Sequence, residues 1–385
     1  MTKKGEQMTP RERILTVLDH REPDRVPFDL GGHPDAGIHI VAYRGLRRQL
    51  GFDASAEVGD LITQQAAVDD QVREKLGIDV KRVDCSTYLE NATFEEEERY
   101  STFRDEYGIR WAKPRDGGLY YDMIGHPLSG DLTVDDVARF ELPPVIDKGR
   151  MAKLREEAKR VHEAGYAVLV PEPGGGLFEL ATWLRGFEDM FIDIGTGSAV
   201  FEALLDRLLE HRIGYWRAVL DALGEYVDVV NEADDVATQQ TLMFDPRVFR
   251  KVLKPRYTRL FEEMRKRVNK RLYISFHSCG AVTEILPDLI EAGIDAINPV
   301  QVSARGMDTK DLKKTFGRDV TFWGGGVDTQ RVLAAGTRDE VREEVKRRIG
   351  DLSPGGGFVF AAVHNIQADV PPENIVTMWE TLREY

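Results

Sequence analysis

The sequence predicts an α/β protein closed into a (β/α)8, or TIM, barrel. Three observations carry this. Eight short apolar runs alternate with amphipathic helical stretches along the 385 residues. Those runs are apolar almost throughout rather than at every second position, the pattern of parallel strands buried on both faces. No GxGxxG or GxxxxGK(S/T) turn follows the first run, which argues against the competing doubly wound open sheet.

The elements follow in chain order. Thr9-Pro10-Arg11-Glu12 is a capping box with proline at the first helical position, and Ile14, Leu15 and Leu18 give that helix its apolar stripe. The candidate strands are Val26–Leu30, Val80–Cys85, Ala167–Pro171, Tyr226–Ala233, Leu272–Cys279, Ala296–Val300, Val320–Gly324 and Phe358–His364. Helical patterns between them cover Arg150–Ala164, Ala199–Leu223, Pro246–Val268, Val282–Ala292 and Arg338–Ile349. A second capping box, Thr337 to Glu340, opens the last of these. Two glycine triplets, Gly174 to Gly176 and Gly355 to Gly357, lack phosphate-loop spacing and read as tight turns. Phe94 to Leu128 breaks the alternation, being acidic and then aromatic, with Asp116-Gly117-Gly118 between two apolar runs. A β-hairpin inserted at about residues 94–128 is therefore expected in what is otherwise one barrel domain over residues 1–385. It either lines a substrate entrance or caps one end of the barrel.

Composition narrows the function. Hydrophobic residues at 42% and charged residues at 31% support a large core and exclude global disorder. Lys and Arg total 52 against 66 Asp and Glu, a formal charge of -14, so neither nucleic acid nor an anionic membrane is an expected partner. No run approaches the ~20 apolar residues of a membrane helix. Two cysteines exclude a disulfide framework, and the opening Met1 to Ile14 stretch has no apolar core of a secretory signal, so the expected location is cytoplasmic.

The strongest chemical signal is Phe276-His277-Ser278-Cys279-Gly280, at the end of the fifth strand. Alternation puts His277 and Cys279 on one face, which in a barrel is the interior at the C-terminal rim, where such folds place their active sites. An imidazole beside a thiolate is half of a zinc site, and the sulfur disfavours magnesium or calcium. The alternative is a buried cysteine acting as a small hydrophobe beside a hydrogen-bonded histidine. His364 ends the eighth strand and can face the same centre across the mouth, giving three protein ligands with one open position. Glu232 and Asp234 share a face of the fourth strand, so one of them is a candidate fourth ligand or base. Their bland reading is a helix cap and a solvated loop. Trp183, Gln301, Asp235 and His33 are rim candidates for substrate binding. Glu172, Asp328, His39 and Asp84 are weaker ones.

Several motifs carry a resemblance. They are Thr9-Pro10-Arg11-Glu12-Arg13, Arg25-Val26-Pro27, Asn298-Pro299-Val300-Gln301, Gly324-Gly325-Gly326-Val327-Asp328, Gly355-Gly356-Gly357-Phe358 and Asp369-Val370-Pro371-Pro372-Glu373-Asn374. With them the chain resembles the uroporphyrinogen decarboxylase superfamily over nearly its whole length, and the resemblance implies a (β/α)8 barrel. The decarboxylases of that superfamily carry a Met-Arg-Gln-Ala-Gly-Arg segment after strand one, whose arginines hold substrate carboxylates. The corresponding stretch here, Leu30 to Asp35, has no arginine, and Ala181-Thr182-Trp183 lacks their pocket tyrosine. His-x-Cys at strand five is similar to the zinc ligands of the corrinoid-dependent methyltransferases, including methylcobalamin:coenzyme M methyltransferases. Their third ligand, a cysteine near strand eight, falls on His364.

The resemblance thus implies a zinc-dependent methyltransferase that moves a methyl group between a corrinoid protein and a small thiol or methoxy compound. Asp234 or Glu232 would then orient or deprotonate the substrate. No Asp-x-His-x-x-Gly motif occurs, so the corrinoid is expected on a separate protein. A homodimer is left open. The rival expectations are decarboxylation of a porphyrin or aromatic acid, with His364 and Asp84 at the reacting ring, and a tetrapyrrole-binding barrel without catalysis.

Overall fold

Strand β1 (Val58–Asp60) and strand β2 (Gln65–Ala66) form a small antiparallel pair ahead of the main sheet. The computed structural model describes residues 7–85, 89, 92–144 and 148–385. The central sheet is parallel and runs β13-β12-β11-β10-β9-β8-β3. Its strands are β3 (Val80–Arg82), β8 (Ala167–Val170), β9 (Val229–Ala233), β10 (Tyr273–His277), β11 (Ala296–Asn298), β12 (Thr321–Trp323) and β13 (Phe358–Val359). Each is a shortened version of a run read from the sequence, because the apolar pattern extends past the last ladder hydrogen bond.

The first expected strand, Val26–Leu30, is reduced to a single bridge between Phe28 and Phe360. The cause is local. Pro27 has no N–H to give, and the Phe28 N–H goes to the Asp79 carboxylate at 2.8 Å instead of to a neighbouring strand. The segment still closes the ring. Asp29 N–H donates to Phe360 O, Phe360 N–H to Pro27 O, and Asp79 N–H to Phe28 O, so it links β13 to β3.

Two apolar clusters show what the closure buries. Val80, Ala167, Leu169, Val229, Tyr273, Ala296, Trp323 and Val359 pack together inside the ring with Ile14, Val17 and Leu18 of the first helix, Pro10–Leu18. That helix is set by the predicted capping box, with Thr9 N–H on Glu12 Oε2 at 2.8 Å and Glu12 N–H on Thr9 Oγ1 at 3.2 Å. The larger cluster lies between the sheet and the surrounding helices, among them Ala199–Leu223 and Arg338–Leu352. The opposite half of the ring interior is polar: His33, Asn231, Ser275, His277 and Asn298 are all buried. A buried polar layer on an apolar floor marks where the fold gives up packing for chemistry.

The inserted segment is larger than the expected hairpin. It is a four-stranded antiparallel meander of β4 (Thr93–Glu96), β5 (Tyr100–Arg104), β6 (Arg110–Pro114) and β7 (Asp122–Gly125). The Asp116 to Gly118 turn joins the last two. The first strand was illegible because its acidic residues are exposed on both faces, so it has no alternating pattern to read.

Candidate metal centre

His277 is the last residue of β10, on the inward face that Tyr273 and Ser275 also occupy. Its ring is fixed from behind. Nδ1 lies 2.6 Å from Asn298 Oδ1, and the Asn298 amide nitrogen donates to Trp323 O at 3.0 Å, which leaves only the oxygen for the histidine. Nδ1 therefore carries the hydrogen, and Nε2 is the free nitrogen. Nε2 faces Cys279 Sγ at 3.6 Å.

Cys279 lies beyond the strand, in a loop shaped by Gly280. Gly280 has φ +94°, and a Cβ there would stand 2.5 Å from Thr238 O, so glycine is required. The Cys279 N–H donates to Asp235 Oδ1 at 2.7 Å, and the Gly280 N–H to Gln301 Oε1 at 2.6 Å. His364 also sits past its strand, five residues after Val359, yet it reaches the same point. Its ring centroid is 5.5 Å from that of His277, and its side chain keeps 35% exposure. One ligand atom from each of His277, Cys279 and His364 lies within 4.8 Å of the other two.

The electrostatics favour a thiolate. Burial opposes charge on all three groups, but their mutual attraction wins. The Cys279 thiol is lowered because the His277 charge outweighs the cost of burial. Burial lowers His277, yet Asp35 and Cys279 raise it well above the ordinary imidazole value. His364 is raised in the same way by its hydrogen bond with Cys279. Asp35 stands against the cluster, with Oδ2 3.1 Å from His277 Nδ1 and Oδ1 4.0 Å from His364 Nε2.

These donors fit zinc. Metal–ligand lengths of ~2.0–2.1 Å for nitrogen and ~2.3 Å for sulfur give a tetrahedral N···S edge of about 3.5 Å. The observed 3.6 Å between Nε2 and Sγ matches it. A hydrogen-bonded partner on the non-ligating nitrogen is the usual support of a metal-binding histidine, and Asn298 supplies it.

The sequence pattern of the uroporphyrinogen decarboxylase (URO-D) family matches residues 125–385. The chain belongs to that family. In fold, this URO-D family member is similar to a methyltransferase from Methanosarcina mazei, with a TM-score of 0.66 at 19% identity over 98% of this chain and 99% of that one. A chain assigned as a vitamin-B12-independent methionine synthase from Listeria monocytogenes aligns over 62% of this chain and 68% of its own, at 12% identity and a TM-score of 0.35. No curated protein matches the sequence significantly. Among the described residues, no helix is long and apolar enough to cross a membrane.

The other expected site residues of the URO-D chain divide sharply. Glu232 and Asp234 do share a strand face, but it is the outer one, the face of Val230 and not of Val229. Glu232 is fully buried against Arg212, with both oxygens 3.3 Å from Nη1, and also accepts the Trp216 indole N–H. Asp234 caps the helix Leu177–Arg185 from outside its chain segment, accepting the N–H groups of Phe178 at 2.8 Å and Glu179 at 2.6 Å and the Tyr257 hydroxyl. Burial pushes its carboxyl up to about 7, against the pull of those bonds. Neither carboxylate is presented to the mouth as the expected base. The helix can approach this closely only because residue 176 is glycine, since a Cβ there would lie 1.6 Å from Ala233 O.

Asp235 is at the cluster, with Oδ1 3.6 Å from His277 Nε2. Gln301 holds the Cys279 loop, as described. His33 is fully buried under the cluster, its Nε2 3.2 Å from Ser275 Oγ. Burial drives its pKa down to about 3 despite Asp35, so the ring is neutral. Trp183 stands edge-on to Trp111 of β6, with centroids 5.8 Å apart, and joins the inserted meander to the barrel. Sequence reasoning missed Asp35 and Asn298. Asp35 had a signal, its position two residues from His33 in the loop after the first strand. Asn298 had none beyond its place in the Asn298-Pro299-Val300-Gln301 motif.

Proposed function

We propose that this protein is a zinc-dependent methyltransferase that moves a methyl group between a corrinoid protein and a small thiol or methoxy compound. The observation that carries the reading is the grouping of two imidazoles and one thiolate-prone cysteine, with His364 open to solvent on the mouth side. The fold shared with the Methanosarcina mazei methyltransferase supports it. When bound, zinc supplies Lewis acidity, which lowers the pKa of a thiol or polarises an ether oxygen.

The chain's own residues do the rest. His277, Cys279 and His364 would hold the ion. Asn298 keeps His277 in the tautomer that offers Nε2. Asp235 and Gln301 fix the main chain on either side of Cys279. Asp35 takes the orienting role expected of Asp234 or Glu232: it is the carboxylate beside both rings, and it stays ionised because the pull of His277 leads those that outweigh its burial. Its Oδ atoms would accept the hydrogen bond of an incoming thiol and orient it. His33 lies buried beneath the cluster without carrying charge.

The test is elemental analysis of the purified protein together with methyl transfer from methylcobalamin to a thiol. We expect about one zinc per chain, and loss of both metal and transfer in Cys279→Ala. Full activity in zinc-depleted protein overturns the reading.

A further inference from the structure

Strand β3 carries Val80 into the barrel interior and Lys81 outward, where its ammonium bonds Asp70 at 2.8 Å. Alternation returns Arg82 to the inner face, at the last position of the strand and level with Leu169 of β8. It is half-buried there. Among the described residues its guanidinium has no hydrogen-bond or ion-pair partner. Other buried and half-buried arginines behave differently. Arg13 holds Asp24 and Asp79, Arg25 holds Asp79, and Arg212 holds Glu232.

The carboxylates at and behind the mouth are already engaged. Asp35 faces His277, Glu172 accepts from Asn231 at 2.8 Å, Asp235 accepts the Cys279 N–H, and Asp234 caps its helix. Arg82 nevertheless belongs to this neighbourhood. Its charge acts on both Asp35 and His33, behind the larger effects of burial and of those residues on each other. A planar fork of five donors, half withdrawn from water at the inner-face end of β3, suits a bidentate anion.

We propose that Arg82 binds a carboxylate on the small substrate, so that the thiol or methoxy end lies toward His277, Cys279 and His364. The orientation of the reacting end rests on the methyl-transfer reading; the carboxylate subsite does not. The same fork would also suit the phosphate of a corrinoid nucleotide tail, and the experiment separates the two sources.

The first arm needs neither metal nor turnover. Saturation-transfer NMR compares 3-methoxypropionate with 3-methoxy-1-propanol on the full chain. We expect a signal for the anion at least about tenfold stronger in titration than for the alcohol, lost in Arg82→Gln and partly kept in Arg82→Lys. Both variants are first checked for unchanged melting temperature, and Arg82→Lys serves where Arg82→Gln fails to fold. Equal signals for the two ligands, or a preference that survives in Arg82→Gln, overturn the subsite even if methyl transfer is observed.

The second arm uses zinc-loaded protein and follows methylation of 3-mercaptopropionate and of 2-mercaptoethanol, with methylcobalamin or methylcobinamide as donor. We expect Arg82→Gln to raise KM for 3-mercaptopropionate about tenfold with either donor and to leave KM for 2-mercaptoethanol unchanged. A defect seen with both thiols, and only with methylcobalamin, assigns the guanidinium to the nucleotide phosphate and overturns the proposal. No transfer to either thiol, with the NMR preference intact, rejects the methyl-transfer reading and keeps the carboxylate subsite.

Discussion

Asn298 Oδ1 stands 2.6 Å from Nδ1 of His277, and the same amide is anchored by its nitrogen to Trp323 O. That amide, with the Asp35 carboxylate 3.1 Å from the same Nδ1, decides which nitrogen of the histidine meets Cys279. Supporting partners of this kind commonly change metal affinity by ~10–100-fold when removed. Asn298→Ala should weaken zinc binding by that order while His277, Cys279 and His364 remain in place. Competition with a chromophoric chelator measures it, and unchanged affinity would show that the amide does not set the ring.

Glu232 and Arg212 form a fully buried pair behind the sheet. Removing one partner of such a pair typically costs ~3–5 kcal/mol, whereas replacing both by apolar residues is often neutral. Arg212→Met should therefore lower the melting temperature strongly, and the double variant Arg212→Met with Glu232→Leu should recover much of it. If Glu232 were instead the base, Glu232→Gln would abolish turnover in a protein of normal stability.

Asp234 makes a parallel case. Loss of a helix-capping carboxylate costs ~0.5–2 kcal/mol. Asp234→Ala should show a loss of at least that size in urea denaturation, with the pH profile of methyl transfer unmoved. A displaced profile would return Asp234 to the catalytic apparatus. Asp35→Asn is the complementary variant, expected to fold normally and to slow thiol methylation at neutral pH more than at high pH, where the thiol ionises unaided.

Glu172 links pH to stability. Burial first, then the Asp35 and Glu232 carboxylates, push its carboxyl up to about 8. In the unfolded chain it titrates near ~4.3. Between those values the unfolded chain has given up a proton that the folded chain keeps, so this group makes stability fall as pH rises through that window and contributes no slope outside it. Glu172→Gln should flatten the change in urea midpoint between pH 5.5 and pH 8. A slope equal to that of the unaltered protein would show that Glu172 titrates normally.

The barrel was legible because seven runs are apolar enough to be strands in any context. Their ends were not, since the regular strands end at His277 and Val359 while the apolar pattern continues to Cys279 and Val363. The meeting of His277, Cys279 and His364 followed from alternation and from the convergence of strand ends, and needed no fine register. The same alternation, applied to Glu232 and Asp234, rightly put them on one face. It gave no indication that this face looks outward, because that depends on whether Val229 or Val230 joins the inner cluster. Asp35 and Asn298 were invisible as contacts because each acts on a residue distant in the chain.

Ile14, Val17 and Leu18 stopper the far end of the ring, so His277, Cys279 and His364 are approached from the other end. A bulky methyl carrier seated over that end would shut in whatever had already entered and shut out whatever had not. Under the proposed methyl transfer, the small molecule would then enter first and the carrier second, and excess carrier should act as an inhibitor competing with the smaller partner.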